Sequence, residues 1–324
     1  MRSRKRWKRQ RRHGLVLGAG GVLGAAWMVG ALRALEEAWG WDPRTADVIV
    51  GTSAGSVLAA LLGAGIGTVS MVNHQRGTVD LDDPPLEYDH DGATGGPMPP
   101  RPRRVGIGSK GLFVRSARRR NAMGAMYGLL PEGRRSLWTI GSVIDTVSPG
   151  SWAGHPNCWV VAVDYDEGDR VVFGRPEAPP TVLANAVMAS CAIPGWFAPV
   201  QIDGRRYVDG GVHSVTSLDL LAGQDLDEVT VLAPMASFAY DSPRSLWSRL
   251  ERTVRRVTTR RVLSEADAVR DGGTAVNLLA PGAEDLTAFG GNVMDPARRA
   301  HVLETSLRTS AAALADSRRE VLRG

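Results

Sequence analysis

The sequence contains little cysteine and no basic surplus outside its N-terminal segment. Its two cysteines, Cys158 and Cys191, exclude a disulfide-stabilised secreted scaffold and a four-cysteine zinc site, and we expect both to be reduced core residues. Eight of the 39 Lys and Arg residues fall within residues 1–12, which hold no acid, and the other 31 stand against 34 Asp and Glu residues. The body of the chain is therefore slightly acidic, and we expect no nucleic-acid partner.

The sequence also lacks a well-formed membrane anchor. Residues 15–32 are uncharged and follow a basic run, as in a signal peptide or an anchor, but five of the 18 are glycines. Each glycine penalises an inserted helix by about 1 kcal/mol. We therefore expect a strand, a glycine turn and a helix here, in a cytoplasmic protein that is at most peripherally bound to a membrane. Residues 2–12, in a basic disordered tail over residues 1–13, suit contact with an anionic membrane, although a solubilising role fits them equally well.

Strand-like and helix-like segments alternate along the rest of the chain. Strands are predicted at 15–17, 47–50, 158–163 and 228–232, and helices at 23–39, 137–147, 181–190 and 296–322. This alternation predicts one α/β domain over residues 14–324, a three-layer α/β/α sandwich with a mainly parallel central sheet. A proline-rich stretch at about 77–108 is interpreted as an insertion, either a mobile cap or a disordered loop. From about residue 243 the chain is predicted to be largely helical.

Ser53 stands at the centre of GTSAG, a G-x-S-x-G pentapeptide between a predicted strand and an apolar helix. Gly51 and Gly55 have no Cβ and therefore permit the sharp turn on which such a serine nucleophile sits. The N–H groups at the start of the following helix favour a developing negative charge at the same place. The pentapeptide by itself is also compatible with an ordinary tight turn.

A glycine-rich turn joins the first strand to the first helix and suggests a second part of a site. Its backbone N–H groups suit either a phosphate or an oxyanion. The phosphate interpretation, a nucleotide-binding oxidoreductase, requires an acid at the end of the second strand, where this chain has Gly51-Thr52-Ser53. The oxyanion interpretation is therefore favoured. The glycines of this turn are Gly18, Gly20, Gly21 and Gly24.

A base for Ser53 is not evident among the histidines, none of which lies in a motif. A better candidate is Asp209, which follows a short apolar strand and precedes Gly210 and Gly211. An Asp-Gly-Gly sequence alone is more often a simple turn. The histidines considered are His74, His90, His155, His213 and His301.

Four blocks taken together resemble a known family, the patatin-like phospholipases, which are serine lipid acyl hydrolases. The blocks are GAGGVLGAAW, GTSAG, ASCAIPGWFAPV and VDGG, in the order and approximate spacing of that family, over roughly residues 14–215. The resemblance implies hydrolysis of a lipid or other ester through an acyl-enzyme, without a metal or cofactor. It implies Ser53 as nucleophile and Asp209 as the only general base. The oxyanion hole implied by the resemblance is formed by the N–H groups of Gly20, Gly21 and Ala54.

Two positions depart from the commonest pattern of this family. Ala19 stands where the first glycine of its G-x-G-x-x-G is usual, and Leu23 stands where many members carry Arg or Lys. These departures leave open a third interpretation, a lipid-binding relative that has lost catalysis.

Overall fold

The alternating sequence pattern produces one sheet with helices on both faces. The computed structural model describes residues 11–78, 83, 86, 107–238 and 246–321. The tail segment before residue 11 and most of the predicted 77–108 insertion lie outside these residues. The strands are β1 (His13–Leu17), β2 (Val48–Thr52), β3 (Cys158–Asp164), β4 (Arg170–Phe173), β5 (Val200–Ile202), β6 (Arg205–Asp209), β7 (Glu228–Leu232) and β8 (Ala275–Leu279). The α-helices are α1 (Gly21–Trp39), α2 (Ala54–Gly63), α3 (Thr68–Arg76), α4 (Lys110–Arg118), α5 (Ala122–Leu129), α6 (Trp138–Val147), α7 (Leu183–Cys191), α8 (Leu246–Asp271), α9 (Ala283–Phe289) and α10 (Arg299–Val321).

Within the described residues, the strands form one eight-stranded sheet in the order β5-β6-β3-β2-β1-β7-β8, with β4 also paired to β3. The pairs from β3 through β2, β1 and β7 to β8 are all parallel. Only β4, β5 and β6 contribute antiparallel pairs, at one end of the sheet. The predicted mainly parallel sheet is therefore confirmed.

Alternate residues of the strands divide the core into two layers. Leu15, Leu17 and Ile49 pack with α1, α2 and α7 on one face of the sheet. Val16 and Val50 pack on the other face, against residues of α8. Because side chains alternate across a strand, a parallel sheet that is apolar on both faces needs helices on both. The three-layer α/β/α sandwich is confirmed.

The uncharged run at residues 15–32 comprises the central strand β1 and most of α1. This helix is buried on nearly all sides because α10 crosses it closely. Ser306 of α10 donates a hydrogen bond to the Trp27 carbonyl at 2.7 Å, and a Cβ on Gly30 would lie 2.8 Å from that of Ser306. Among the described helices, none is long and apolar enough to span a bilayer.

The strand β3 brings the ends of β2 and β6 together. A strand has two hydrogen-bonding edges, and β4 occupies one edge of β3. On the other edge Thr52 pairs with Val161. The next residue of β3, Ala162, pairs with Asp209. Because β6 runs antiparallel to β3, the last residues of β2 and β6 meet end to end.

Candidate active site

Ser53 lies on a strained turn between β2 and α2. Its backbone angles, φ 54° and ψ −125°, are unfavourable for a residue with a Cβ. The flanking glycines allow the chain to close so tightly. A Cβ on Gly55 would lie 2.0 Å from the Leu17 carbonyl oxygen, and one on Gly51 would lie 2.5 Å from the Ser56 Cα. The turn places the Ser53 side chain at the carboxyl edge of the parallel strands.

Two further serines hold this turn. The hydroxyl of Ser190, on α7, accepts a hydrogen bond from the Ser53 N–H at 2.9 Å and donates one to the Val161 carbonyl at 2.6 Å. The Ser56 hydroxyl donates to the Ser53 carbonyl at 2.6 Å. Neither residue was predicted from the sequence, since buried serines have no recognisable spacing. Ser190 lies within the ASCAIPGWFAPV block, which was the available signal.

Asp209 ends β6 directly beside Ser53. Its carboxylate accepts a hydrogen bond from the Gly211 N–H at 2.7 Å, and it also forms a hydrogen-bonding contact with the Ser53 side chain. Only 5% of Asp209 is exposed. Burial raises the pKa of Asp209 to about 7, while its contacts with Ser53 and Gly211 act in the opposite direction. A carboxyl group that titrates near neutrality can accept and return a proton at physiological pH.

Two glycines follow Asp209 for different reasons. Gly210 packs against β3, where a Cβ would lie 2.4 Å from the Val161 carbonyl oxygen. The N–H of Gly211 donates a hydrogen bond to the Asp209 carboxylate. The Asp-Gly-Gly sequence thus both fits the crowded sheet and orients the carboxylate.

The glycine turn after β1 lies close to the Ser53 turn, since a Cβ on Gly55 would lie 2.8 Å from the Gly18 carbonyl oxygen. The N–H groups of Gly18 and Ala19 donate to carbonyl groups of the fold, at 2.9 and 2.7 Å. In contrast, the N–H groups of Gly20, Gly21 and Ala54 have no hydrogen-bond acceptor among the described residues. Because α1 begins at Gly21 and α2 begins at Ala54, the positive ends of two helix dipoles meet here.

Close packing explains the glycines of this turn. Gly21 has φ +60°, and a Cβ there would lie 2.7 Å from the Met294 sulfur. A Cβ on Gly20 would lie 2.7 Å from the Gly24 Cα, and a Cβ on Gly18 or Gly24 would lie 3.1 to 3.2 Å from its nearest neighbour. Glycine at these positions therefore lets the turn pack closely against its neighbours.

Two largely apolar cavities meet at Ser53. The first, of about 320 Å³, runs between α2, α3 and α6. The second, of about 500 Å³, lies beside Asp209 and α5. Gly21, Ser53, Ile193 and Met294 border both. Phe197 lines the first and Trp196 the second. A substrate with apolar groups on both sides of a reacting carbonyl would fit this arrangement.

The histidines have other surroundings, and none of those described is a hydrogen-bond partner of Ser53 or Asp209. His155 interacts with the Ala46 carbonyl at 2.7 Å. His74 lines the first cavity. Burial, together with nearby arginines, lowers the pKa of His213 to about 4. Within the described chain, no three His, Cys, Asp or Glu side chains are placed to hold a metal ion.

A known protein family matches most of this chain. The patatin-like phospholipase family model matches residues 15–222, which is more than half of the chain. The chain belongs to the patatin-like phospholipase family. The resemblance found in the sequence is thereby confirmed, and lipids are the expected substrate class. Membership disfavours the nucleotide-binding oxidoreductase that the glycine turn also suggested.

Two solved structures are similar to this patatin-like chain. VipD from Legionella pneumophila is 14% identical, with 95% of this chain and 67% of VipD covered at a TM-score of 0.45. The type III effector protein ExoU is 16% identical, with 94% of this chain and 53% of ExoU covered at a TM-score of 0.38. The chain thus spans about half the length of ExoU.

The structure also locates the two departures from the family pattern. Ala19 directs its N–H to the Val215 carbonyl at 2.7 Å, away from Ser53. The Leu23 side chain is fully buried in the core beneath α1. The N–H groups of Gly20 and Gly21, which lie between these two positions, have no hydrogen-bond acceptor among the described residues.

Proposed function

We propose that this protein is a serine acyl hydrolase that cleaves a carboxylic ester of a lipid, with phospholipase A or lysophospholipase activity. Ser53 acts as the nucleophile and Asp209 as the only general base. The observation that supports this most directly is the meeting of Ser53 with a buried carboxylate whose pKa is raised to about 7.

The reaction begins when Asp209 accepts the proton of the Ser53 hydroxyl. The Ser53 oxygen forms a bond to the ester carbonyl carbon, and the carbonyl oxygen becomes an oxyanion. The N–H groups of Gly20, Gly21 and Ala54 are available to stabilise that charge, at about 3 kcal/mol for each well-placed donor. The tetrahedral species then breaks the bond to the alcohol, which takes the proton from Asp209.

The resulting acyl-enzyme is hydrolysed by the same groups. Asp209 accepts a proton from a water molecule as that water attacks the acyl carbonyl, and the proton returns to Ser53 when the acid leaves. The two cavities accommodate the acyl chain and the alcohol portion on opposite sides of Ser53. Since neither step requires a second base, the absence of a histidine partner among the described residues is consistent with this mechanism.

A fluorophosphonate probe tests the nucleophile. We expect it to label the wild type and the Ser142→Ala control, which changes an exposed serine on α6, but not Ser53→Ala. Labelling that persists in Ser53→Ala would overturn the assignment. Binding of lipid by a wild type that neither reacts with the probe nor hydrolyses esters would identify a non-catalytic relative instead.

Hydrolysis of p-nitrophenyl esters and phospholipids tests the base. Asp209→Asn preserves the shape of the side chain and its capacity to accept from Gly211, but it cannot take a proton at neutral pH. We expect a loss of at least 10²-fold in kcat, in line with the usual contribution of a general base. Asp203→Asn, at the exposed turn between β5 and β6, is the matched control. Unchanged hydrolysis by Asp209→Asn would contradict the proposal.

A further inference from the structure

The surface around α4 and α5 has an unusual composition for a protein exterior. Residues 107–131 contain five basic residues and no acid, although the body of the chain is slightly acidic. Large apolar side chains are exposed among them. Ile107 is 53% exposed, Val114 43%, Met126 51% and Leu129 46%. We refer to residues 107–129 as the basic hairpin.

The apolar side chains of α5 form a stripe on its exposed side. Ala122, Met126 and Leu129 follow one another at helical spacing and are all exposed. An adjacent side of the same helix contributes Met123 and Tyr127 to the cavity beside Asp209. The exposed stripe therefore borders the cavity that leads to Ser53.

Only some of the basic side chains of the hairpin form ion pairs within the described part of the protein. Arg115 and Arg119 both pair with Asp169. In contrast, Lys110, Arg118 and Arg120 are exposed, and the described residues offer them no acidic partner. These three side chains can neutralise anions outside the protein.

The hairpin is fixed to the body at both of its helices. Ser109 caps α4 by accepting from the Leu112 N–H at 3.0 Å, and it donates to the Tyr165 carbonyl. Asn121 caps α5 and donates to the Val212 carbonyl at 2.8 Å, three residues after Asp209. These bonds fix the backbone of both helices to the body of the protein, so little backbone ordering is needed on binding.

We propose that the basic hairpin is the surface by which this protein docks on an anionic membrane, with Met126 and Leu129 inserted among the lipids and Lys110, Arg118 and Arg120 on their phosphates. Exposed apolar side chains rimmed by bases are suited to a lipid–water interface. Docking by this surface presents the cavity beside Asp209 to the lipid. The role in substrate delivery rests on the proposed hydrolase function, whereas the docking itself does not.

The basic tail makes a less suitable docking surface for catalysis. The chain enters the sheet at Arg12, directly before β1, and Ser53 lies beyond the opposite, carboxyl ends of the parallel strands. A contact at the tail would leave the cavity mouths on the far side of the sheet from its point of attachment.

Vesicle co-sedimentation of the full chain carrying Ser53→Ala tests docking without turnover. We expect binding to vesicles of equimolar phosphatidylcholine and phosphatidylserine, weaker binding at higher salt, and little binding to phosphatidylcholine alone. Each basic residue near such a surface contributes roughly fivefold in affinity. Combining Lys110→Gln, Arg118→Gln and Arg120→Gln is therefore expected to weaken binding on the order of 100-fold.

The matched control removes the same charge elsewhere, through Arg33→Gln, Arg44→Gln and Arg270→Gln. Arg44 and Arg270 precede β2 and β8 at the opposite edge of the sheet, and Arg33 lies in the second half of α1. This control is expected to bind within a few-fold of the parent. Equal loss in both triple variants would show a net-charge effect and overturn the proposal.

A solvatochromic dye on Met126→Cys reports insertion directly, because Cys158 and Cys191 are both buried. We expect a blue shift on anionic vesicles and none at a dye placed on Arg44→Cys. Full binding without a shift, or binding lost only on deletion of residues 2–12, would overturn the assignment. Self-association abolished by the hairpin substitutions, without vesicle binding, would identify a protein partner and also overturn it.

A hairpin variant with Ser53 intact separates this proposal from the hydrolase proposal. We expect it to hydrolyse a soluble p-nitrophenyl ester at the wild-type rate and to lose activity on anionic vesicles. Retained soluble activity also shows that the variant is folded. If the wild type hydrolyses nothing, the vesicle-binding results still decide whether the hairpin docks.

Discussion

We expect Asp209→Asn to stabilise the folded protein at neutral and alkaline pH while it removes catalysis. The carboxyl group is buried, and its pKa rises from an ordinary 3.8 to about 7 on folding. Because the folded state holds the proton more tightly, the contribution of Asp209 to stability is fully present below about pH 4. It is lost as the pH rises to about 7. Asparagine keeps the hydrogen bond from Gly211 and never ionises.

The size of this effect follows from the two pKa values. The interval from 3.8 to about 7 corresponds to on the order of 4 kcal/mol of unfolding free energy at pH 8, at about 1.4 kcal/mol per pH unit. At pH 5 the loss of unfolding free energy is about 2 kcal/mol, because pH 5 lies only part of the way between the two pKa values. With an unfolding entropy of about 2.1 cal/mol/K per residue over 324 residues, 4 kcal/mol corresponds to about 6 °C in Tm.

Thermal unfolding at pH 5 and pH 8 measures the gap between wild type and Asp209→Asn. We expect the variant to unfold at the higher temperature, with a gap about twice as large at pH 8 as at pH 5. Asp203→Asn, which relieves no burial, should show no such widening. A difference in Tm that is constant with pH, or a wild type more stable than the variant at pH 8, would refute the conclusion that burial of the ionised Asp209 carboxylate destabilises the folded protein.

The remaining predictions concern the groups around this carboxylate. The kcat/KM of the wild type should rise with pH along a limb near pH 7, as Asp209 becomes able to accept a proton; a profile flat from pH 5 to 9 would exclude it as the base. Ser190→Ala should lower kcat about tenfold with little change in KM, because the Ser53 N–H loses its acceptor, and Ser190→Thr should restore part of the rate. Gly21→Ala should reduce kcat by about 10²-fold through a displaced oxyanion turn, whereas Gly40→Ala, with the same φ of +60° but open space around it, should leave kcat unchanged. Gly55→Ala should not fold and should therefore show no cooperative transition in a thermal melt, because its Cβ would lie 2.0 Å from a carbonyl oxygen of β1.

Much of the fold could be predicted from the chain because the central strands and helices carry strong local patterns. The strands Val48–Thr52, Cys158–Asp164 and Glu228–Leu232 are largely apolar segments, and α1 is a long apolar segment that follows a glycine turn. The hairpin of β5 and β6 is different. Its strands are only three and five residues long and carry exposed polar side chains, so the sequence indicates only one short apolar strand before Asp209, within a turn-rich stretch.

The chemistry of the site could be inferred in part from short motifs. Ser53 and the glycine turn lie in contiguous sequence, where local backbone requirements restrict the residue types that fit. Ser190 had no such pattern, because its role depends on a hydrogen bond to a residue 137 positions away. The basic residues of the hairpin are evident in the sequence, but tertiary structure decides which apolar residues of α5 are exposed and which line the cavity.

The sequence by itself determined the α/β class, the tight turn that carries Ser53 and the family, because each depends on local pattern or on ordered blocks. Tertiary structure alone decided how the two functional groups meet. β4 takes one edge of β3, and β2 and β6 must therefore share the other, which sets Ser53 and Asp209 end to end although 155 residues separate them. Burial at that junction then raises the pKa of the carboxyl group, a property that no residue carries before the chain folds.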